Sequence, residues 1–202
     1  MTQRERKIKI FKISATAILT ALAVVLMYME IPLPFMPPFL KFDFSELPVI
    51  IGSFALGPVY GLIIELLKNL IHLPATATAG IGELSNFLSG SIYVFSAGLI
   101  YSKGKNLKSS AVALSVAAVI LAAVAIPLNY FVTLPLYGKV LGFSTEAIVG
   151  MSAAVNPLIK DKISLALWAF VPFNLFKAIV VGIFAYPVNI PVSMILKRNL
   201  NK

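Results

Sequence analysis

Asn174 and Lys177 stand three residues apart inside the otherwise apolar stretch AFVPFNLFKAIVVGIF, residues 169–184, so a helix turns an amide and an ammonium to one face. Similar polar positions recur in apolar surroundings. Glu65 and Lys68 are three apart beside Asn69 and His72, Glu83 and Asn86 are three apart, and Asn129 closes the run IPLNYF. Carrying a charged side chain to the middle of a bilayer costs about 2.5–3.5 kcal/mol on insertion scales, so such a group must face protein, water or a ligand. An amide presents a donor and an acceptor side by side, which suits the edge of an imide or uracil-like ring that presents both. The competing reading is internal: Glu65 or Glu83 pairs with Lys68 or Lys177, and the asparagines tie helices together for about 1 kcal/mol per hydrogen bond. Crowding of the whole set at one depth favours a polar-lined pocket. Phe35, Phe39, Phe42 and Phe44 lie in a neighbouring loop and can either cover a flat ring or anchor the chain at the membrane interface.

Other chemistries lack their residues. There is no cysteine and His72 is the single histidine, which excludes thiolate nucleophiles and multi-histidine metal sites. No G-x-x-x-x-G-K-[ST] phosphate loop and no H-E-x-x-H occurs, so the chain does not hydrolyse ATP by itself and no enzyme class is indicated.

The elements that must hold these residues are membrane helices. Of 202 residues, 59% are hydrophobic and 12% charged, about half the charge of a soluble domain. The net charge of +9 gathers in short clusters, RERKIKIFK, KGKNLK and KRNLNK, that border apolar runs. That is the signature of a topology signal and not of a nucleic-acid surface. The first apolar run is long for a signal peptide and lacks an A-x-A site, so it reads as a retained span. The expected architecture is all-α: an integral membrane bundle of six spans at about 13–31, 44–56, 58–72, 83–102, 110–134 and 162–195, in one domain, with both termini cytoplasmic. Gly57-Pro58 is the turn that splits the second span from the third. A Pro-rich loop follows the first span, and the stretch 135–160 is expected as a long outer loop, with a short helix near STEAIVGMSAAV. On the first helix Ser14, Ala17 and Ala21 form a small-residue surface that admits another helix closely, whether inside the bundle or from a partner.

The stretch KFDFSELPVIIGSFALGPVYG, the segment LSNFLSGSIYVF and the downstream PFNLFKAIV, together with the basic N-terminus and Ala-rich first helix, resemble the riboflavin-specific substrate-binding (S) components of energy-coupling factor (ECF) vitamin transporters. The resemblance runs through essentially the whole chain. It implies a six-helix bundle of the bacterial cell membrane that binds riboflavin from the outer side, with no cofactor of its own. It also implies a transmembrane coupling protein and two ATPase subunits as partners, docking on Ala17 and Ala21. Asn129, Asn174 and Lys177 then hold the flavin, and Lys41, Phe42 and Asp43 lie in a capping loop. Glu65, Lys68 and Asn86 are carried to the site with less motif support. Two other readings stay open, an S component for a different vitamin and a self-sufficient carrier that uses Glu65, Lys68 and Lys177 as an ion relay.

Overall fold

A computed structural model describes residues 2–200, and the side chains of all of these except 190 and 193–200. The side chains of Lys197, Arg198 and Lys202, the basic cluster expected to mark the inner end of the last helix, lie outside the described residues. The chain is helical almost throughout, with one small two-stranded ribbon.

Helix α1 (Gln3–Tyr28) begins within the basic segment and not at its apolar edge. Thr2 and Glu5 explain the early start: the Thr2 hydroxyl accepts from the Glu5 amide at 3.2 Å, and the Glu5 carboxylate accepts from the Thr2 amide at 2.7 Å. This reciprocal cap satisfies two otherwise orphan donors. After α1 the chain forms a short antiparallel ribbon of β1 (Ile31–Pro32) and β2 (Lys41–Phe42), with Ile31 opposite Phe42. Prolines at 34, 37 and 38 leave the intervening residues no helical option. The ribbon is fastened to the end of α1 by a Lys41–Glu30 ion pair.

Helices α2 (Glu46–Leu56) and α3 (Pro58–His72) are separated at Gly57, whose φ of +114° is closed to side chains, and Pro58 opens α3 at its first position. The α2 segment has 11 residues and all but Leu47 are buried, so it is a short central helix packed against α1, α3, α4 and α9. At about 1.5 Å per residue it reaches only about half the hydrocarbon thickness. Glycine permits close helix approach, for example where a Cβ at Gly61 would meet Ser53 and Val94 at 2.7 Å, and one at Gly98 would collide with Ser53 and Pro58.

Helix α4 (Ile81–Ser102) leads to α5 (Leu107–Leu128), which runs through a π-helical stretch (Asn129–Thr133) into α6 (Leu134–Leu141) without a break. The expected outer loop is therefore shorter than the sequence suggested, because the helix runs on through Pro135, next to the π-helical stretch, to Leu141. It contains α7 (Thr145–Ala153), near the anticipated position. The last long helix starts with α8 (Lys162–Leu165), passes a second π-helical stretch (Ala166–Phe170) and continues as α9 (Val171–Leu200).

By length and apolar composition, four described helices are able to cross a bilayer: Gln3–Tyr28, Ile81–Ser102, Leu107–Leu141 and Lys162–Asn189. Their outer surfaces carry large apolar side chains, among them Ile18, Val25, Val119 and Ile183, each more than half exposed. Such a surface is stable only against lipid, so the chain is a membrane protein.

Candidate ligand pocket

The ribbon, the start of α4, the α5–α6 junction, α7 and the first half of α9 enclose a cavity of about 390 Å³. That volume falls within the range of about 300–1,000 Å³ usual for small-molecule sites. Lys41, Asp43, Asn86, Asn129, Asn174 and Lys177 line it, so residues from four separate stretches of the sequence meet at one hollow.

Both asparagines are held by the same device. The Asn129 amide nitrogen donates to the Ala125 carbonyl at 2.7 Å, and that of Asn174 donates to the Phe170 carbonyl at 2.8 Å. Each side chain thus reaches back four residues, beside a π-helical stretch that disturbs the regular ladder of backbone bonds. One amide hydrogen is used in this way. The Oδ1 atom of each accepts no hydrogen bond from any described residue, although Asn129 is 3% exposed and Asn174 9%. Two buried amides of fixed plane, each with an oxygen and a second hydrogen to spare, stand on the wall of a cavity.

Lys177 lines the cavity and is also paired within the protein. Its ammonium donates to Asp43 Oδ2 at 2.9 Å and to Asn86 Oδ1 at 3.1 Å, and lies 3.7 Å from Glu46 Oε1. The protein itself therefore supplies its acceptors. Asp43 is in turn oriented by the Ser45 amide, which donates to its Oδ1 at 2.7 Å. The side chain of α9 thereby fastens the end of the ribbon segment across the pocket.

Glu65 and Lys68 lie off the cavity wall, fully buried in a layer behind it. Lys68 donates to Glu46 Oε1 at 2.7 Å and to Ser45 Oγ at 2.8 Å, and is 2.9 Å from Glu65 Oε2. Asn69 joins this layer to the pocket: its amide nitrogen bonds Glu65 Oε1 at 2.9 Å, and its oxygen accepts from Asn86 at 3.2 Å. The internal pairing of carboxylates with lysines is thus present, but it works as support for the wall. Phe42 also points elsewhere, packing edge-on against Phe44 and Phe176 at centroid distances of 4.9 and 5.6 Å.

Two further polar positions singled out in the sequence, His72 and Glu83, also line the cavity. His72 Nδ1 is 3.0 Å from Glu83 Oε1, and the Thr76 hydroxyl donates to Glu83 Oε2 at 2.7 Å, closing the side of the cavity next to α4. Leu134, Tyr137, Ile148 and Phe170 form an apolar end to the cavity, built where α6 and α7 fold over the second π-helical stretch. A helix with an extra residue in its turn leaves no periodic trace, so this end was not legible. On α1, Ser14, Ala17 and Ala21 are all exposed, while Ala15 and Ala23 of the same helix are buried in the bundle. Among the described residues no group of His, Cys, Asp and Glu is arranged to hold a metal ion.

Among the open readings, the self-sufficient carrier is set aside by family membership. Residues 11–189 match the family described as ECF transporter, substrate-specific component. The chain belongs to that family. As an S component it is a transporter subunit and not an enzyme. It is 35% identical over 183 residues to the riboflavin transporter RibU of Staphylococcus aureus (strain TCH60), covering 91% of this chain and 87% of that protein. It is 28% identical to the riboflavin transporter FmnP of Bacillus subtilis (strain 168), covering 87% and 88%. A solved structure described as the S component of a bacterial ECF transporter superposes with a TM-score of 0.72 at 32% identity, covering 92% of this chain and 97% of the other.

Proposed function

We propose that this S component binds riboflavin in the 390 Å³ cavity. The observation that carries the reading is the pair of buried, half-satisfied amides of Asn129 and Asn174 on its wall, taken with the riboflavin transporters among its relatives. The pyrimidine edge of the flavin ring offers an N–H between two carbonyls. One free amide oxygen accepts the N–H, and the remaining amide hydrogens donate to the two carbonyls. The methylated benzene end of the ring goes to the apolar pole near Leu134, Tyr137 and Ile148. Lys177 organises the site through Asp43 and Asn86, while Lys41 and Asp43 belong to the segment that caps it. Glu65 and Lys68 hold that arrangement from behind, and Phe42 packs the cap.

The nucleoside-like vitamin is favoured over its phosphate. Both lysines lining the cavity already face carboxylates, Lys41 with Glu30 and Lys177 with Asp43, and Glu83 adds a further acid. A phosphate finds no unpaired cation among the described lining residues.

The reading includes a bundle of six membrane helices, in which α2 and α3 are short and do not each cross the full layer, both termini cytoplasmic, and residence in a bacterial plasma membrane. It also includes a coupling protein that meets the small face of Ser14, Ala17 and Ala21, and two ATPases that supply the energy this chain has no motif to generate. Purified protein is expected to carry a flavin absorption band. Asn129→Ala and Asn174→Ala are each expected to weaken riboflavin binding by roughly 5- to 150-fold, the scale of about 1–3 kcal/mol for a buried group left unpaired, with flavin mononucleotide weaker than riboflavin throughout. Unchanged affinity in both variants would remove the site from this cavity.

A further inference from the structure

A second hollow, about 400 Å³ in volume, opens between α5 and α9. Its floor is Leu114, Ala118 and Ala178, all buried, and its rim includes Ser115, Ile179 and Ile183, all exposed to lipid. Gly182 sits within it. A Cβ placed there meets only ordinary contacts, 3.6 Å from the Tyr93 hydroxyl and 3.9 Å from Leu114 Cβ. Gly98, by contrast, is pressed so closely against Ser53 and Pro58 that any side chain collides. Helix packing does not require a glycine at 182, and its missing side chain serves instead to keep the trough open.

A charged stretch at the start of α5 lies beyond one end. The Asn189 amide donates to Ser110 Oγ at 3.3 Å, which brings the start of α5 level with the part of α9 just beyond Tyr186. On α5, Lys108, Ala111, Ser115 and Ala118 follow at steps of three and four residues and share one stripe. Exposed Lys108 therefore stands at the mouth of the trough, with exposed Lys105 and Lys103 shortly before it. Tyr186 brings a phenol to the same end from α9. A cation at the boundary, a hydroxyl beneath it and an apolar channel beyond match, in order, the phosphate, the glycerol esters and the acyl chain of a phospholipid.

We propose that this groove holds one acyl chain of an anionic phospholipid whose phosphate is bound by Lys108. The assignment is independent of the flavin reading, since none of these residues lines the ligand cavity. The occupant is a lipid of defined charge because the α5 stripe that walls the trough runs on to exposed Lys108 and the exposed lysines before it.

The test is native mass spectrometry of the full chain titrated with phosphatidylglycerol or with phosphatidylcholine of identical acyl chains. The first adduct is expected to favour phosphatidylglycerol severalfold, and Lys108→Ala to reduce that preference by roughly fivefold, the worth of one interfacial lysine. Gly182→Leu fills the trough and is expected to weaken retention of both lipids. Ser115→Leu fills it from the exposed opposite wall and gives the same readout should Gly182→Leu fail to fold. Equal retention of the two lipids by the parent chain overturns the proposal. So does unchanged retention in the filled variants, which would mean headgroup attraction at the surface alone.

Discussion

At the scale of single residues, the buried charges form a graded set. Asp43, Glu46 and Glu65 face Lys68 and Lys177, three carboxylates against two ammoniums, all at most 7% exposed. Removing an ammonium leaves two acids with no counter-charge, whereas neutralising one acid leaves the lysines still paired. Lys68→Met is therefore expected to lower stability by about 3–5 kcal/mol, the usual cost of breaking a buried pair, and Glu65→Gln by distinctly less. Thermal unfolding in detergent measures both, and a Lys68→Met midpoint equal to that of the parent contradicts the counter-charge role. The individual residues were the most legible part of the site. Asn129, Asn174 and Lys177 announce themselves because polar atoms are costly in hydrocarbon. Their partners do not: Lys177 donates to Asp43 across a sequence separation of 134 residues, and nothing in local spacing tells an ammonium that meets protein from one that meets a ligand.

At the scale of elements, the division between α2 and α3 was readable because Gly57-Pro58 has a mechanism. The glycine adopts φ +114° and ψ 158°, a region that side chains avoid, and no atom lies within 4 Å of the place a Cβ would take. Gly57→Ala thus isolates backbone strain from crowding, and is expected to cost about 1–3 kcal/mol. A variant as stable as the parent would show that the turn relaxes freely. Less legible were the ribbon, two residues per strand, and the two π-helical stretches, Asn129–Thr133 and Ala166–Phe170. Strands that short have no alternation to detect. A π turn differs from an α turn by a backbone bond and not by a residue type, so sequence showed Asn129 and Asn174 without showing the geometry that aims them.

At the scale of the whole molecule, two surfaces point away from the pocket. Ser14, Ala17 and Ala21 of α1 are small and exposed, and on the proposed docking there Ala17→Trp or Ala21→Trp is expected to leave riboflavin binding intact while abolishing ATP-driven uptake. Paired measurements of binding and transport check this, and normal transport in both variants moves the docking surface elsewhere. The other surface is α3. It offers Val59, Ile63, Leu66 and Leu70 to lipid over only 15 residues, roughly 22 Å at 1.5 Å per residue, beside a hydrocarbon layer about 30 Å thick. The bilayer must pinch along that flank while α1, with 26 residues, needs no thinning on its own. Elastic stress is thus lopsided, and it grows as acyl chains lengthen. Proteoliposomes graded in thickness are expected to show transport that varies with chain length far more than riboflavin affinity does, since the load falls on the orientation of the bundle in its membrane and not on the vitamin.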